Sequence, residues 1–332
     1  MKIKEIIGID VSKETIDTVI HTSQLHSTFD TNSANDIKKM TAWVRKHTDC
    51  PNHEVLFVFE HTGLYSHQLA TTLSALGLPY TMVPGLAIKR SLGIVRGKND
   101  RIDAAHIALY GYRLREELAP SHLPSTQLQS LKRLLGLRKR LVKQRAGFKS
   151  SFKEQQRVLK VTENEVFFEV QRSMIRELST HIARLEREIH AIIKGNKELY
   201  TMYRLITSIN GVGPQTALYM IVSTEGFTKF KTWRKFACYC GIAPFPNSSG
   251  TSLRGKTKVS HLANKELKAL LSSCATCALQ YNPEMKQYYE RRIKQGKSTM
   301  STINVIRNKL VARIFAVVAR GTPYVNTLKY AS

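Results

Sequence analysis

The sequence predicts an α/β N-terminal part, a helical middle with a coiled-coil pattern, and a mainly α C-terminal part. Short apolar runs typical of strands alternate with helical patterns as far as about residue 120. A heptad-spaced apolar seam follows in the next segment, and the balance of charge changes in the same region. We therefore expect three domains, covering residues 1–120, 121–200 and 201–332.

The N-terminal part is predicted to be a meander that continues into alternating helices and strands. Apolar runs bounded by polar or turn residues predict strands, and apolar residues at three- and four-residue spacing predict helices. The predicted strands are 6–11, 15–20, 26–29, 55–59 and 80–83. The predicted helices are 36–47, 65–76 and 101–117. Strands first and an alternation afterwards favour an α/β domain.

The middle segment is basic and helical. Pro120 and Pro124 mark a boundary, and residues 132–160 carry 11 Lys and Arg against one acid, Glu154. A second run has apolar residues at alternating spacings of three and four, which predicts a coiled-coil seam. The seam residues are Ile175, Leu178, Ile182, Leu185, Ile189 and Ile192. They can pair with the preceding helix of the same chain or with another chain.

The charge is unevenly distributed and indicates a polyanionic partner. Residues 1–110 carry 12 basic and 11 acidic side chains, whereas 111–332 carry 39 and 14, within a total net charge of +26. DNA or RNA is the natural partner for such a surface; a generally basic, solvated surface is the alternative. The sequence has no apolar run of membrane-spanning length and no signal-peptide pattern. We expect no membrane partner and a cytoplasmic protein.

Four carboxylates predict a metal centre in the N-terminal domain. Asp10 lies inside an apolar strand pattern, Glu60 ends another, and Asp100 and Asp103 share a face at a predicted helix start. Two hard cations need several carboxylate oxygens, which suits Mg²⁺, with Mn²⁺ as a substitute. Each residue alone has a simpler interpretation, such as a turn former or a helix cap. Together they favour a ribonuclease-H/RuvC-type nuclease fold.

Two glycines in the C-terminal part predict a phosphate contact. Gly211 and Gly213 follow an apolar run and precede a predicted helix, as in a helix-hairpin-helix turn whose backbone N–H groups bind phosphate. A plain interhelical turn is equally compatible. In the middle segment we expect Lys139, Arg140 and Lys143 to contact nucleic acid as well.

A polar loop is predicted at residues 241–252, ahead of Arg254 and Lys256. A serine hydroxyl beside these cations is a possible nucleophile on a phosphodiester, since the cations would stabilise the developing charge. A polar loop with turn serines is the simpler interpretation. Cysteine spacings also permit a zinc site, from Cys238 with Cys240 and Cys274 with Cys277, although buried thiols in a helical core are favoured.

Six motifs in order resemble the IS one-ten family of transposases, the bridge-RNA-guided DEDD recombinases of bacterial insertion sequences; Piv-type invertases are relatives. The motifs are GIDVSK at 8–13, EHTGLY at 60–65, KNDRIDA at 98–104, INGVG at 209–213, YCGIAP at 239–244 and SG at 249–250. The resemblance covers nearly the whole chain. It implies a RuvC-like domain, a coiled-coil middle and a C-terminal transposase domain.

The resemblance also implies functional roles. The family's metal-binding and catalytic carboxylates fall on Asp10, Glu60, Asp100 and Asp103, and its catalytic serine falls on Ser249. It implies Mg²⁺, target and donor DNA, a structured bridge RNA as guide, and a homodimer that assembles into a homotetramer acting at the bacterial nucleoid.

The chain departs from the family pattern at two places. Ser248 replaces the usual Gln before the catalytic serine, so a second hydroxyl lies next door; Ser252 is a weaker third candidate. The usual Ser-Lys-x-Gly-Asn reads SHLAN at 260–264. Three functions are therefore compared: an RNA-guided recombinase, a protein-only site-specific invertase or RuvC-like junction resolvase, and a non-catalytic nucleic-acid-binding protein.

Overall fold

The structure is a computed structural model that describes residues 2–30, 33–93, 99–249 and 253–325. The chain divides into two compact units, Met1–Leu123 and Pro124–Ser332. Within the described ranges, no helix is long and apolar enough to cross a membrane. The predicted combination of a mixed α/β N-terminal part with a mainly helical remainder is confirmed.

Unit 1 is built on one five-stranded sheet. Its strands are β1 (Glu5–Val11), β2 (Thr15–Ile20), β3 (His26–Asp30), β4 (Val55–Glu60) and β5 (Tyr80–Val83). Their order across the sheet is β3-β2-β1-β4-β5. The meander pairs are antiparallel, whereas β1, β4 and β5 run parallel. The carboxyl ends of β1 and β4 therefore lie side by side, in the register Ile9 to Phe59.

The helices of unit 1 cover both faces of this sheet. They are α1 (Ala34–Lys46), α2 (Leu64–Ala75), α3 (Gly85–Ser91) and α4 (Asp100–Arg113). Alternate residues of β1 point to opposite faces. Ile7 and Ile9 are buried in the cluster that contains residues of α1 and α2, whereas Ile6 packs in the cluster that contains Ile107 of α4. The apolar residues of β1 and β4 are consequently buried on both faces of the sheet.

Unit 2 contains a long helical hairpin of α5 (Thr126–Gln155) and α6 (Glu165–Gly195). The two helices run antiparallel, because Gln155 contacts Gln171 whereas Arg138 pairs with Glu186. On the predicted heptad seam, Leu178, Ile182 and Ile189 are buried. The helix that carries the seam thus packs along α5 of the same chain, and pairing with another chain stays a prediction.

The rest of unit 2 is a helical core with one small hairpin. The helices are α7 (Lys197–Thr207), α8 (Pro214–Ser223), α9 (Trp233–Tyr239), α10 (Lys265–Tyr281), α11 (Pro283–Lys294) and α12 (Thr299–Arg320). The strands β6 (Pro244–Ser249) and β7 (Leu253–Val259) pair antiparallel. The predicted polar loop at 241–252 is therefore wrong over residues 244–249. Its Pro, Ser and Asn content is typical of loops, but cross-strand pairing with β7 overrides that local preference.

Candidate metal centre and serine hairpin

The candidate metal centre lies where β1 ends and α4 begins. Asp10 is the penultimate residue of β1 and is partly buried. Gly8, two residues earlier on the same face, lets α4 approach the strand closely. A Cβ on residue 8 would lie 2.3 Å from the backbone oxygen of Ala104 and 2.3 Å from the nitrogen of Ala108. This close packing brings the first turn of α4 next to Asp10.

The first turn of α4 supplies two further carboxylates. Asn99 is the N-cap, since its side chain accepts a hydrogen bond from the Ile102 backbone N–H at 2.8 Å. The interpretation of Asp100 as the cap is therefore wrong. Asp100 and Asp103 occupy the first turn, where negative charge also complements the helix dipole. Neither carboxylate is needed for capping, so both are available to a ligand.

Three of the four predicted carboxylates converge. Ligand oxygens of Asp10, Asp100 and Asp103 lie within 4.8 Å of one another. No ion pair joins any of them to a basic side chain of the described residues. Burial, and then the charges of Asp103 and Asp100, raise the pKa of Asp10 to about 6. A cluster of like charges without a cationic partner is a good site for a divalent cation.

Glu60 lies beside this group. It ends β4, is paired with Val83 of β5 and adds to the negative potential that raises the pKa of Asp10. Its carboxylate lies against the first residue of α3, where a Cβ on Gly85 would be 2.0 Å from Oε1. The fourth predicted carboxylate is therefore at the same sheet edge, but its oxygens do not belong to the three-residue cluster.

A fifth carboxylate, Asp17, was missed by the sequence analysis. It faces Asp10 directly in the antiparallel register of β1 and β2, and its charge contributes to the raised pKa of Asp10. The side chain is buried and accepts hydrogen bonds from Thr28 Oγ1 and contacts His26 Nε2, both at 2.8 Å. The signal was present, because Asp17 interrupts an apolar strand pattern as Asp10 does.

The donor set fits a hard divalent metal. Asp10, Asp100 and Asp103 offer oxygen ligands only, which suits Mg²⁺ or Mn²⁺ rather than zinc. The cysteines do not provide a competing site in the described part of the chain. Cys240 and Cys274 are buried in the core of unit 2, and burial raises the pKa of the Cys240 thiol to about 12, which disfavours the thiolate that zinc binds.

The predicted serine lies on the β6–β7 hairpin of unit 2. Ser248 is exposed and lies opposite Arg254, and Ser249 lies opposite Leu253. The side chains of Ser249, Arg254 and Lys256 are outside what the structure describes, as are Gly250 and Ser252. The hairpin begins at a firmly held turn, since Asn304 and Asn308 both donate hydrogen bonds to the Ile242 carbonyl, at 2.8 and 3.0 Å.

The predicted phosphate-contacting glycines lie between α7 and α8. Gly211 has φ of +94° and approaches α10 so closely that a Cβ would be 2.8 Å from the Ala278 Cα. Backbone conformation and packing are therefore enough to explain a glycine at this position. Gly213 is the N-cap of α8, and Pro214 follows in the first turn. A Cβ added at Gly213 would meet nothing within 4 Å. Gly213 thus leaves the helix N-terminus accessible, as the phosphate interpretation requires.

The predicted basic residues lie on the exposed side of α5. Arg140 and Lys143 are exposed, whereas the Lys139 ammonium is paired with Glu266 at 2.8 Å. Lys139 is therefore partly neutralised by α10. Of these three cations, Arg140 and Lys143 are the better candidates for a nucleic-acid contact, because neither forms an ion pair with another described residue.

An acidic cluster at the carboxyl end of a central strand, in a chain whose remainder is basic, is typical of nucleic-acid-processing enzymes with a carboxylate centre. Two family models match the chain. One, described as a transposase of the DEDD IS110 type, matches residues 7–160, and the other, the transposase IS116/IS110/IS902 family, matches residues 203–290. The chain belongs to the IS110 family of transposases.

Two curated relatives agree. The insertion element IS110 uncharacterized 43.6 kDa protein of Streptomyces coelicolor is 30% identical over 140 residues, which are 42% of this chain and 33% of that protein. A probable family 20 transposase of Pseudomonas aeruginosa is 26% identical over 157 residues, which are 45% of this chain and 44% of that protein. The matches thus span less than half the length of either relative.

Proposed function

We propose that this chain is the DNA transposase of an insertion sequence and that it cuts and exchanges DNA strands with a Mg²⁺-dependent carboxylate centre. The observation that carries the proposal is the convergence of Asp10, Asp100 and Asp103 within 4.8 Å, without a basic partner among the described residues. Mg²⁺ bound there would stabilise charge on the scissile phosphate. Glu60, from its position against Gly85, would complete the ligand set by binding a second cation next to the first.

We propose that the N-terminal domain is RuvC-like and ribonuclease-H-like. The support is a mixed sheet in the order β3-β2-β1-β4-β5, with carboxylates at the ends of β1 and β4 and at the start of α4. We keep three domains, at 1–120, 121–200 and 201–332, with the α5–α6 hairpin as the coiled-coil middle. The support for this middle domain is that α5 and α6 contact each other along the hairpin, at Arg138 with Glu186 and at Gln155 with Gln171.

The covalent step is assigned to Ser249, with Ser248 as the alternative. The serine Oγ would form a bond to phosphorus while the phosphorus–oxygen bond to one deoxyribose breaks. The serine proton would pass to the departing sugar oxygen, and the reverse reaction would rejoin a strand. Exposure of Ser248 at the end of β6 supports the accessibility of this region to DNA. Arg254 and Lys256 would stabilise the charge on phosphate.

Target DNA, donor DNA and a structured bridge RNA are the proposed partners. The basic excess of residues 111–332, 39 basic against 14 acidic side chains, supports a large polyanionic ligand. Exposed Arg140 and Lys143 on α5 and the open N-terminus of α8 at Gly213 are proposed contact points. Copurification of one discrete RNA with the protein would support guidance. Full strand exchange by RNA-free protein would instead favour the protein-only invertase or resolvase.

A homodimer that assembles into a homotetramer is proposed through the free end of the α5–α6 hairpin. Apolar side chains are exposed there on α6 and on the connection before it. They are Val158, Leu159, Val161, Val166, Phe167, Val170 and Met174. Several exposed apolar side chains at one end of a hairpin are typical of a protein–protein contact.

Trapping of the covalent intermediate tests the proposed chemistry. DNA labelled on either side of the cut, incubated with Mg²⁺ and then denatured, should leave label attached to the wild-type protein. Ser249→Ala should abolish the adduct, and the neighbouring Ser248→Ala is the matched control that should retain it. Asp103→Asn should abolish adduct and cleavage together. Undiminished strand exchange by Ser249→Ala would reject Ser249 as the nucleophile. Undiminished exchange by the Ser248→Ala, Ser249→Ala double variant would reject the serine mechanism and leave the carboxylate centre standing.

A further inference from the structure

Arg307 on α12 is a buried cation without an acidic partner. Its side chain is 7% exposed, and no carboxylate in the described residues forms an ion pair with it. Nε has no hydrogen-bond acceptor, and Nη1 donates only a long hydrogen bond, 3.4 Å, to Asn304 Oδ1. A buried guanidinium is unfavourable unless an anion compensates it. The missing compensation therefore points to a ligand.

Arg313, on the same helix, shows how this fold neutralises an arginine. It donates from Nη2 to both carboxylate oxygens of Glu284 at 2.6 Å and lies over the ring of Tyr324. In α5, Arg138 likewise pairs with Glu186. Desolvation alone lowers the pKa of Arg307, with no neighbouring carboxylate to oppose it. Of these three partly buried arginines, Arg307 is the one left uncompensated.

The position of Arg307 links it to the serine hairpin. Asn304 accepts a hydrogen bond from Arg307 and donates one to the Ile242 carbonyl. Asn308, one turn further along α12, donates to the same carbonyl oxygen. Gly241 packs against Ala263 on the other side of this turn, where a Cβ would lie 2.3 Å from the alanine methyl. Through Asn304, Arg307 is therefore connected to the turn at Gly241 and Ile242, which forms the base of the hairpin from which β6 begins.

We propose that Arg307 binds a phosphodiester anion of the DNA that the serine hairpin engages. This inference rests on the proposed function. The guanidinium offers a planar fork of N–H donors that matches two phosphate oxygens. No carboxylate of the described residues neutralises its charge. A phosphate at the outer end of the guanidinium would supply the missing negative charge and restore local neutrality. Arg307 would thereby fix the path of the DNA relative to the base of the hairpin.

The bound phosphate is not the reacting one. The strand β6 is extended from Pro244, so Ser248 lies about 13 Å of strand beyond the base of the hairpin. We therefore assign the phosphate at Arg307 to a different nucleotide from the one that the serine attacks. Arg307 is a positioning residue, and its loss should raise the DNA concentration that half-saturates cleavage more than it lowers the maximal rate.

Two substitutions separate a ligand-binding role from a structural role. Arg307→Met removes an uncompensated buried charge and keeps much of the volume, so the thermal midpoint should stay equal to wild type or rise. Arg313→Met is the matched control on the same helix, and it should lower the midpoint because Glu284 loses its partner. Sulfate, compared with chloride at equal ionic strength, should stabilise wild type more than Arg307→Met. A fall in midpoint for Arg307→Met as large as that for Arg313→Met would overturn the proposal.

DNA binding by the full chain completes the test. On short duplex DNA, Arg307→Met should bind about tenfold more weakly than wild type. Its plot of log affinity against log salt should lose a slope of about one, the signature of one phosphate contact. Wild-type affinity and slope in Arg307→Met would reject the assignment of Arg307 alone. A wild-type chain that binds no duplex even with its copurified RNA present would reject the proposed function itself, and with it the DNA ligand.

Discussion

The Glu60 carboxylate occupies the space that a side chain at Gly85 would fill, with Oε1 2.0 Å from the position of a Cβ on that residue. Gly85 has an ordinary helical backbone, so a glycine is not required there by the backbone conformation. It is required because a side chain at this position would overlap the Glu60 carboxylate. The first residue of α3 thus decides where the end of the Glu60 side chain can lie, next to the cluster of Asp10, Asp100 and Asp103.

Gly85→Ala should displace the Glu60 carboxylate while the fold is retained, because the atoms in the way are the flexible end of a side chain. We expect the affinity for Mn²⁺, followed by its electron paramagnetic resonance signal, to fall about tenfold, or roughly 1.4 kcal/mol. Gly136→Ala is the control, since its added Cβ meets nothing within 4 Å. Adding Glu60→Asp to Gly85→Ala shortens the clashing side chain and should restore part of the affinity. Unchanged Mn²⁺ binding by Gly85→Ala would show that Glu60 is not a ligand.

Most of unit 1 could be predicted because its strands are short apolar runs with clear ends. The predicted strand at 15–20 coincides with β2, and that at 80–83 coincides with β5. The helix α3 (Gly85–Ser91) was missed, since seven residues after a proline give too few turns for an apolar period to be recognised. The hairpin β6–β7 was missed because its pairing is a tertiary contact, which residue composition does not report.

Gly8→Ala should be strongly destabilising, in contrast to Gly85→Ala. Its Cβ would meet backbone atoms of Ala104 and Ala108 in α4, which cannot rotate away. We expect a loss of roughly 1–3 kcal/mol in the free energy of unfolding of unit 1. Urea unfolding followed by the fluorescence of Trp43 measures it, in a Trp233→Phe background that removes the only other tryptophan. Unaltered stability together with intact metal binding would refute the role of Gly8 in bringing α4 to β1.

The candidate site was predictable in its residue types and only partly in its geometry. Asp10, Asp100 and Asp103 stand out because charges interrupt apolar patterns or begin a helix. The sequence could not show that Asp17 lies opposite Asp10, because that depends on the register between β1 and β2. The orientation of Glu60 depends on α3, an element that the sequence analysis did not contain.

Asp10 should make unit 1 less stable at neutral pH when metal is absent. Its pKa is about 6 in the folded protein, against the ordinary value of 3.8 when unfolded. Between these values the folded state binds more protons, so stability falls as pH rises from about 4 to about 6 and then levels off. In EDTA, Asp10→Asn should unfold at a higher temperature than wild type at pH 7.5 and at a similar temperature near pH 4. Glu14→Gln, at a carboxylate with 75% exposure, is the control.

The same proton competes with the metal. Mg²⁺ should raise the thermal midpoint of wild type at pH 7.5, where Asp10 is ionised, and much less at pH 5, where it is mostly protonated. Asp10→Asn should lose the Mg²⁺ effect at both values. Equal stabilisation of wild type by Mg²⁺ at pH 5 and pH 7.5 would be evidence that Asp10 is not a ligand.

Self-association should depend on the exposed apolar stripe of α6. Val166, Val170 and Met174 follow one another at four-residue spacing and are 72%, 56% and 40% exposed, so they form one face near the free end of the hairpin. Val166→Glu with Val170→Glu places two charges on that face, and we expect a monomer in light scattering after gel filtration. Ser273→Glu with Thr276→Glu adds the same charge at exposed polar positions of α10 and should leave the oligomer intact. Since the stripe does not contribute to the buried seam of Leu178, Ile182 and Ile189, the helical content of both variants should match wild type. An unchanged mass for the Val166→Glu, Val170→Glu protein would place the contact between protomers elsewhere.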